Sequence, residues 1–196
     1  MNERKMVLAD GDALIVVDLQ NDFLPGGSLE VPGSREIVDL VNRYIALFDS
    51  KGLPVYATRD WHPKGHASFK DQGGSWPEHC VQGEKGAQFS IELKLPESCV
   101  IISTASELDR DAYSGFEGTD LNERLRKEGV GRLFICGLAT DYCVFHTVKD
   151  AGINGYETFL LEDAVRAVNV QPDDGEKAIK EMTRLGAVSI SISELS

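Results

Sequence analysis

Six short apolar runs, separated by stretches of helical periodicity, constrain this chain more than any other feature. They cover residues 13–19, 54–60, 100–103, 132–138, 157–163 and 187–192. Nearly unbroken apolar character over so few residues marks strands buried on both faces, as in parallel sheets. Between the first two runs, Ile37, Val41, Tyr44, Ile45 and Phe48 recur at helical spacing, with Ser34 as the expected N-cap and Gly52 as the stop. Residues 119–129 and 172–186 show the same pattern, each ending on glycine. The alternation predicts a three-layer α/β/α fold around a six-stranded, mainly parallel sheet with right-handed crossovers.

With 196 residues, one domain spanning 1–196 is expected. The stretch 61–96 breaks the rhythm with five glycines and three prolines. A loop this long inside a compact domain is usually functional. The net charge of −12, from 20 basic and 32 acidic residues, argues against nucleic acid, whose phosphates require a basic surface. No apolar run approaches the roughly 20 residues of a membrane span. The four cysteines form no CxxC pair, and the polar start MNERK leads into no export-type apolar segment. A cytoplasmic chain with reduced thiols and no membrane partner is expected. Self-association is left open.

In open α/β sheets, chemistry gathers at the carboxyl ends of the strands. Those ends carry Asp18, then Asp60, Trp61 and His62, then Thr104, then the stretch from Gly137 to Cys143. With Thr140 as N-cap, Cys143 is expected at the third helical position, where free amides and the helix dipole favour a thiolate. Asp18, at the mouth of a buried strand, is placed to take a thiol proton. Asp60 and His62 are two apart, so an extended chain points both the same way. Together with His79 they form a set of two imidazoles and one carboxylate, suited to zinc, iron or manganese, and His66 is a further ligand or a support for one.

The blocks VVDLQNDFLPGGSL (16–29), ATRDWHPKGHASF (57–69), WPEHCVQG (76–83), DAYSGFEGTDL (111–121) and CGLATDYCV (136–144) closely resemble the nicotinamidases among the isochorismatase-like cysteine hydrolases. The resemblance runs collinearly over most of the chain. It implies hydrolysis of nicotinamide to nicotinate and ammonia through a cysteine thioester, in NAD salvage. It implies Cys143 as nucleophile, Asp18 as general base, and Asp60, His62 and His79 as ligands of one divalent ion, zinc first among the candidates. That ion, with bound water, would hold the pyridine nitrogen. Phe23 and Trp76 match aromatic walls against the ring, with Tyr113 nearby. Leu138–Ala139 matches a cis peptide that aims the Ala139 amide at the oxyanion.

Two positions depart from the pattern. A family lysine after the third strand is Thr104 here, counted with the substrate pocket, and Phe145 stands where arginine is common. Loss of the ammonium predicts a slow enzyme, because nothing then offsets the Asp18 carboxylate beside the thiol. Two alternatives stay open at this point: another amidase or ureide hydrolase, and a catalytically silent metal- and ligand-binding relative.

Overall fold

Strands that are apolar on both faces need cover on both, and the chain supplies it by reversing direction across one sheet. The computed structural model describes residues 5–196. Its six strands are β1 (Asp12–Val17), β2 (Val55–Asp60), β3 (Val100–Thr104), β4 (Arg132–Leu138), β5 (Glu157–Arg166) and β6 (Val188–Ile190). They lie in the order β3-β2-β1-β4-β5-β6, and every pairing is parallel. From β1 the chain steps outward one way to β3, then returns to β4 and steps the other way to β6.

Right-handed crossovers in opposite directions place their connections on opposite faces. Helix α1 (Val38–Ser50) lies on one face. Helices α2 (Leu121–Lys127), α3 (Phe145–Ile153) and α4 (Asp174–Arg184) lie on the other. The side-chain alternation of β1 feeds both cores. Leu14 and Val16 pack with Val41, Tyr44 and Phe48, whereas Ala13, Ile15 and Val17 pack with Leu125, Val148 and Met182. The loop 61–96 takes the place of a helix between β2 and β3. It contributes Cys80 and Ala87 to the α1 side and holds itself by short bridges, His62 to Val81 and Phe69 to Trp76.

The direction reverses between β1 and β4, where a crevice opens beyond their carboxyl ends. Asp12 and Arg132 fasten the opposite end of this strand pair, with Nη2 donating to Oδ2 at 2.6 Å. Gly137 lets the two strands close at the crevice. Its φ is +112°, and a Cβ there would stand 2.1 Å from the Val17 carbonyl oxygen.

Several boundaries differ from expectation. Strand β5 runs on to Arg166, and the last strand is only three residues before a 3-10 turn. Ser34 is not a cap. Gly33, at φ +72°, precedes a 3-10 turn that starts at Ser34, whose buried hydroxyl has no hydrogen-bond partner. Thr140 is not a cap either. Ala139 holds that place before a π turn, Thr140–Val144, so Cys143 is its fourth residue and α3 begins only at Phe145.

Candidate active site

The crevice holds a pocket of about 470 Å³ of empty space, open to solvent, lined by Phe23, Asp60, His62, Trp76, His79, Tyr113, Leu138, Ala139, Tyr142 and Cys143 among others. Each comes from a strand end or from a loop that leaves one. Cys143 sits in the π turn after β4, where the Ala139 carbonyl accepts the amides of Tyr142 (3.0 Å) and Val144 (3.1 Å). The Leu138–Ala139 peptide is cis.

Asp18 lies beneath the pocket floor, just past β1, in the left-handed region at φ +49°. Its carboxylate accepts the Thr58 hydroxyl at 2.6 Å. Ligand atoms of Asp18, Asp60 and Cys143 all lie within 4.8 Å of one another, and all three residues are buried. Burial, then the Asp60 charge, push the Asp18 carboxyl up to about 8 against the pull of the Thr58 hydrogen bond. Burial and the neighbouring carboxylates likewise raise the Cys143 thiol.

Asp60, His62 and His79 form a second buried set, with one ligand atom from each within 4.8 Å of the others. The tautomers follow from their partners. His62 Nδ1 faces the His79 carbonyl at 3.1 Å and His79 Nδ1 faces the Pro77 carbonyl at 2.8 Å. Carbonyls only accept, so both Nδ1 atoms carry hydrogen, and each Nε2 offers a lone pair when its ring is neutral. His79 Nε2 lies 3.7 Å from Asp60 Oδ2. Imidazoles whose far nitrogen is tied to a backbone carbonyl are the usual preparation for metal ligation. These residues therefore fit a divalent cation.

His66 does not join them. The Ser68 amide donates to its Nδ1 at 3.2 Å, so Nε2 carries the hydrogen and gives it to the Arg110 carbonyl at 3.1 Å. Both nitrogens are committed, and the ring ties the loop 61–96 to the segment after β3. Thr104 stays outside the pocket as well. Its hydroxyl lies 3.2 Å from Asp60 Oδ1 and 3.2 Å from the Arg59 carbonyl. Thr58, not Thr104, bonds Asp18. Phe145 packs against the core on the α2–α4 side, next to His146.

The isochorismatase domain model matches residues 12–194. The chain belongs to the isochorismatase family. Within this family, a nicotinamidase of Escherichia coli is 38% identical over 203 residues, covering 93% of this chain and 95% of that one. The structure of a Pyrococcus horikoshii pyrazinamidase in complex with zinc is 52% identical, with a TM-score of 0.90 over 93% of this chain and 99% of the other. A structure from L. infantum in complex with nicotinate is 36% identical, with a TM-score of 0.90 over 98% of each chain.

Three residues around this isochorismatase-family pocket escape a reading of sequence. Gln20, fully buried, accepts the Asp60 amide at 2.8 Å and donates to the Asp60 carbonyl at 2.7 Å and the Ala87 carbonyl at 2.9 Å. Its signal was a polar side chain just past an apolar strand. Thr58 was visible only as a polar residue inside β2. Tyr142 forms part of the wall, its ring edge-on to Trp76 at 5.0 Å. Trp76 Nε1 in turn donates to the Tyr113 hydroxyl at 2.8 Å, linking two loops across the mouth.

Proposed function

We propose that this chain is a metal-dependent amidohydrolase that converts nicotinamide to nicotinate and ammonia, with Cys143 as nucleophile and Asp18 as the proton carrier. One observation carries the reading. A thiol just beyond the carboxyl end of β4 lies within 4.8 Å of a buried carboxylate oxygen, inside a pocket that also presents two histidines and an aspartate. The Asp18 carboxylate accepts the Sγ proton, and the thiolate attacks the carboxamide carbon. The backbone N–H groups of Ala139 and Cys143 hold the oxyanion; one such donor contributes roughly 3–4 kcal/mol in other enzymes. Asp18 returns the proton to the nitrogen as the C–N bond breaks, releasing ammonia and leaving a thioester. Water adds to that carbonyl, the C–S bond breaks, and nicotinate leaves with the Cys143 thiol restored.

Asp60, His62 and His79 are the residues that would hold the cation, with zinc favoured by the donor set of two imidazole nitrogens and a carboxylate oxygen and by the zinc complex of the Pyrococcus relative. When bound, the ion supplies a Lewis-acidic anchor for orienting the substrate. Phe23 and Trp76 flank a flat aromatic ring, and Tyr113 closes the mouth. The substrate is a small neutral amide. Among the described residues no helix is long and apolar enough to cross a membrane. Incubating the zinc-loaded protein with nicotinamide and measuring ammonia and nicotinate tests the proposal. Equal release is expected of the two products, and none from Cys143→Ala; release by that variant at the parent rate refutes the assignment.

A further inference from the structure

Thr104 occupies the last position of β3, directly opposite Asp60 in the β2–β3 register. It is 4% exposed, and its backbone is fixed by the Trp61 amide, which donates to the Thr104 carbonyl at 3.1 Å. The hydroxyl has one proton and two acceptors at 3.2 Å, the Arg59 carbonyl and Asp60 Oδ1. An ionised carboxylate is the stronger acceptor of the two. Among the described residues this is the one protein hydrogen bond within 3.5 Å to the Asp60 carboxylate oxygens. The other oxygen, Oδ2, is the one that faces His79 Nε2. Gln20 meanwhile grips the Asp60 amide and carbonyl, fixing its backbone but leaving its side-chain torsions free.

We propose that Thr104 is a positioning residue for the metal site: its hydroxyl holds Asp60 Oδ1 and so aims Oδ2 at the cation shared with His62 and His79. The two grips are complementary. Gln20 fixes where the Asp60 main chain lies, and Thr104 fixes the plane of the carboxylate. A carboxylate with one oxygen tied needs no ordering when the ion arrives, so the hydroxyl acts on affinity for metal and only through it on turnover. Removing such a supporting hydrogen bond typically weakens metal affinity by about 10- to 100-fold.

The inference rests on the proposed metal site, and the experiment separates the two. Zinc affinity is measured by competition with a chromophoric chelator for the parent protein, Asp60→Asn, Thr104→Val and Thr104→Ser. The first pair tests the metal site: strong binding by the parent and its loss in Asp60→Asn are expected. Absence of binding by the parent, or equal binding by both, overturns the site and this inference with it. The second pair tests positioning. Thr104→Val, which keeps shape and loses the hydroxyl, should raise the zinc dissociation constant about 10- to 100-fold, while Thr104→Ser stays within about threefold of the parent. A Thr104→Val dissociation constant within about threefold of the parent, alongside loss in Asp60→Asn, overturns the positioning role alone. Melting of the metal-free proteins verifies that the fold is kept, and Thr104→Ala takes the place of Thr104→Val if the valine does not fold.

Discussion

Thr58→Val removes a single hydroxyl proton from the site and leaves nearly the same volume. In the parent, that proton lies on Asp18 Oδ1 across 2.6 Å, with both residues buried. Hydrogen bonds to charged groups contribute about 1.5–3 kcal/mol. This one favours the carboxylate over the carboxylic acid, so it holds the Asp18 titration down, and its loss moves that titration upward by roughly one to two pH units. Burial already raises the Asp18 carboxyl. At neutral pH the variant therefore has fewer molecules with a carboxylate ready to take the Cys143 proton, and kcat/KM falls roughly ten- to hundredfold. The deficit shrinks as pH rises, because the missing carboxylates are regained above the shifted titration. The assay is initial ammonia release from nicotinamide across pH with zinc at saturation, and Thr58→Ser should restore most of the loss. A Thr58→Val rate equal to the parent at neutral pH refutes the reasoning. A loss that is the same at every pH also refutes it, since it would then reflect displaced geometry rather than charge.

Three further outcomes are expected. A nicotinaldehyde probe should form a thiohemiacetal with the parent and not with Cys143→Ala, while Cys80, Cys99 and Cys136 stay unreactive to alkylation, because none of the three lines the pocket. Mass spectrometry of the adduct and of alkylated peptides decides this. Replacing Asp60, His62 and His79 together by alanine should remove the bound metal, with melting affected less than nicotinamide binding; a full equivalent of metal retained would contradict the assignment. Thr104→Lys, assayed at saturating zinc, should raise nicotinamide deamidation by about tenfold or more and lower the pH at which Cys143 is alkylated, since one pH unit of thiol stabilisation is about 1.4 kcal/mol. Unchanged rate and pH profile would show that the added ammonium does not reach Asp18 and Cys143.

The strand ends were legible in the sequence because apolar runs stop abruptly at polar residues, and parallel sheets collect those ends in one place. Asp18, Asp60, His62 and Cys143 were readable on that basis, and His79 by its residue type in a glycine-rich loop. Contacts set by register were not. Thr104 is on β3, Asp60 ends β2, and Asp18 follows β1, so two strand spacings separate Thr104 from Asp18. Each spacing is about 4.8 Å, and a threonine hydroxyl crosses only one of them. That is why it meets Asp60, and why Thr58, on the strand adjacent to β1, serves Asp18 instead. The placement of Cys143 failed for a different reason. A π turn inserts an extra residue before α3, and the spacing of apolar residues does not reveal it. Ser34 has the residue type of a cap, but the left-handed Gly33 turns the chain one residue earlier.

Two buried carboxylates within 4.8 Å of each other cannot both be charged at little cost. Their partners divide them. Burial opposes ionisation of Asp60, but the His79 and His62 rings, when protonated, and the Thr104 hydroxyl hold its carboxyl below the ordinary value. Asp18 has one threonine hydroxyl and a thiol, with Asp60 as a neighbouring charge, and rises to about 8. No lysine or arginine lines the pocket among the described residues, so no cationic side chain evens out the difference. A carboxylate that stays ionised suits a metal ligand; one that titrates near neutrality suits a group that must accept a proton and give it back. The same asymmetry makes a substitution at either residue distinguishable. Asp60→Asn removes a ligand and should act on metal affinity, whereas Asp18→Asn leaves the ligand set intact and should abolish turnover with zinc still bound.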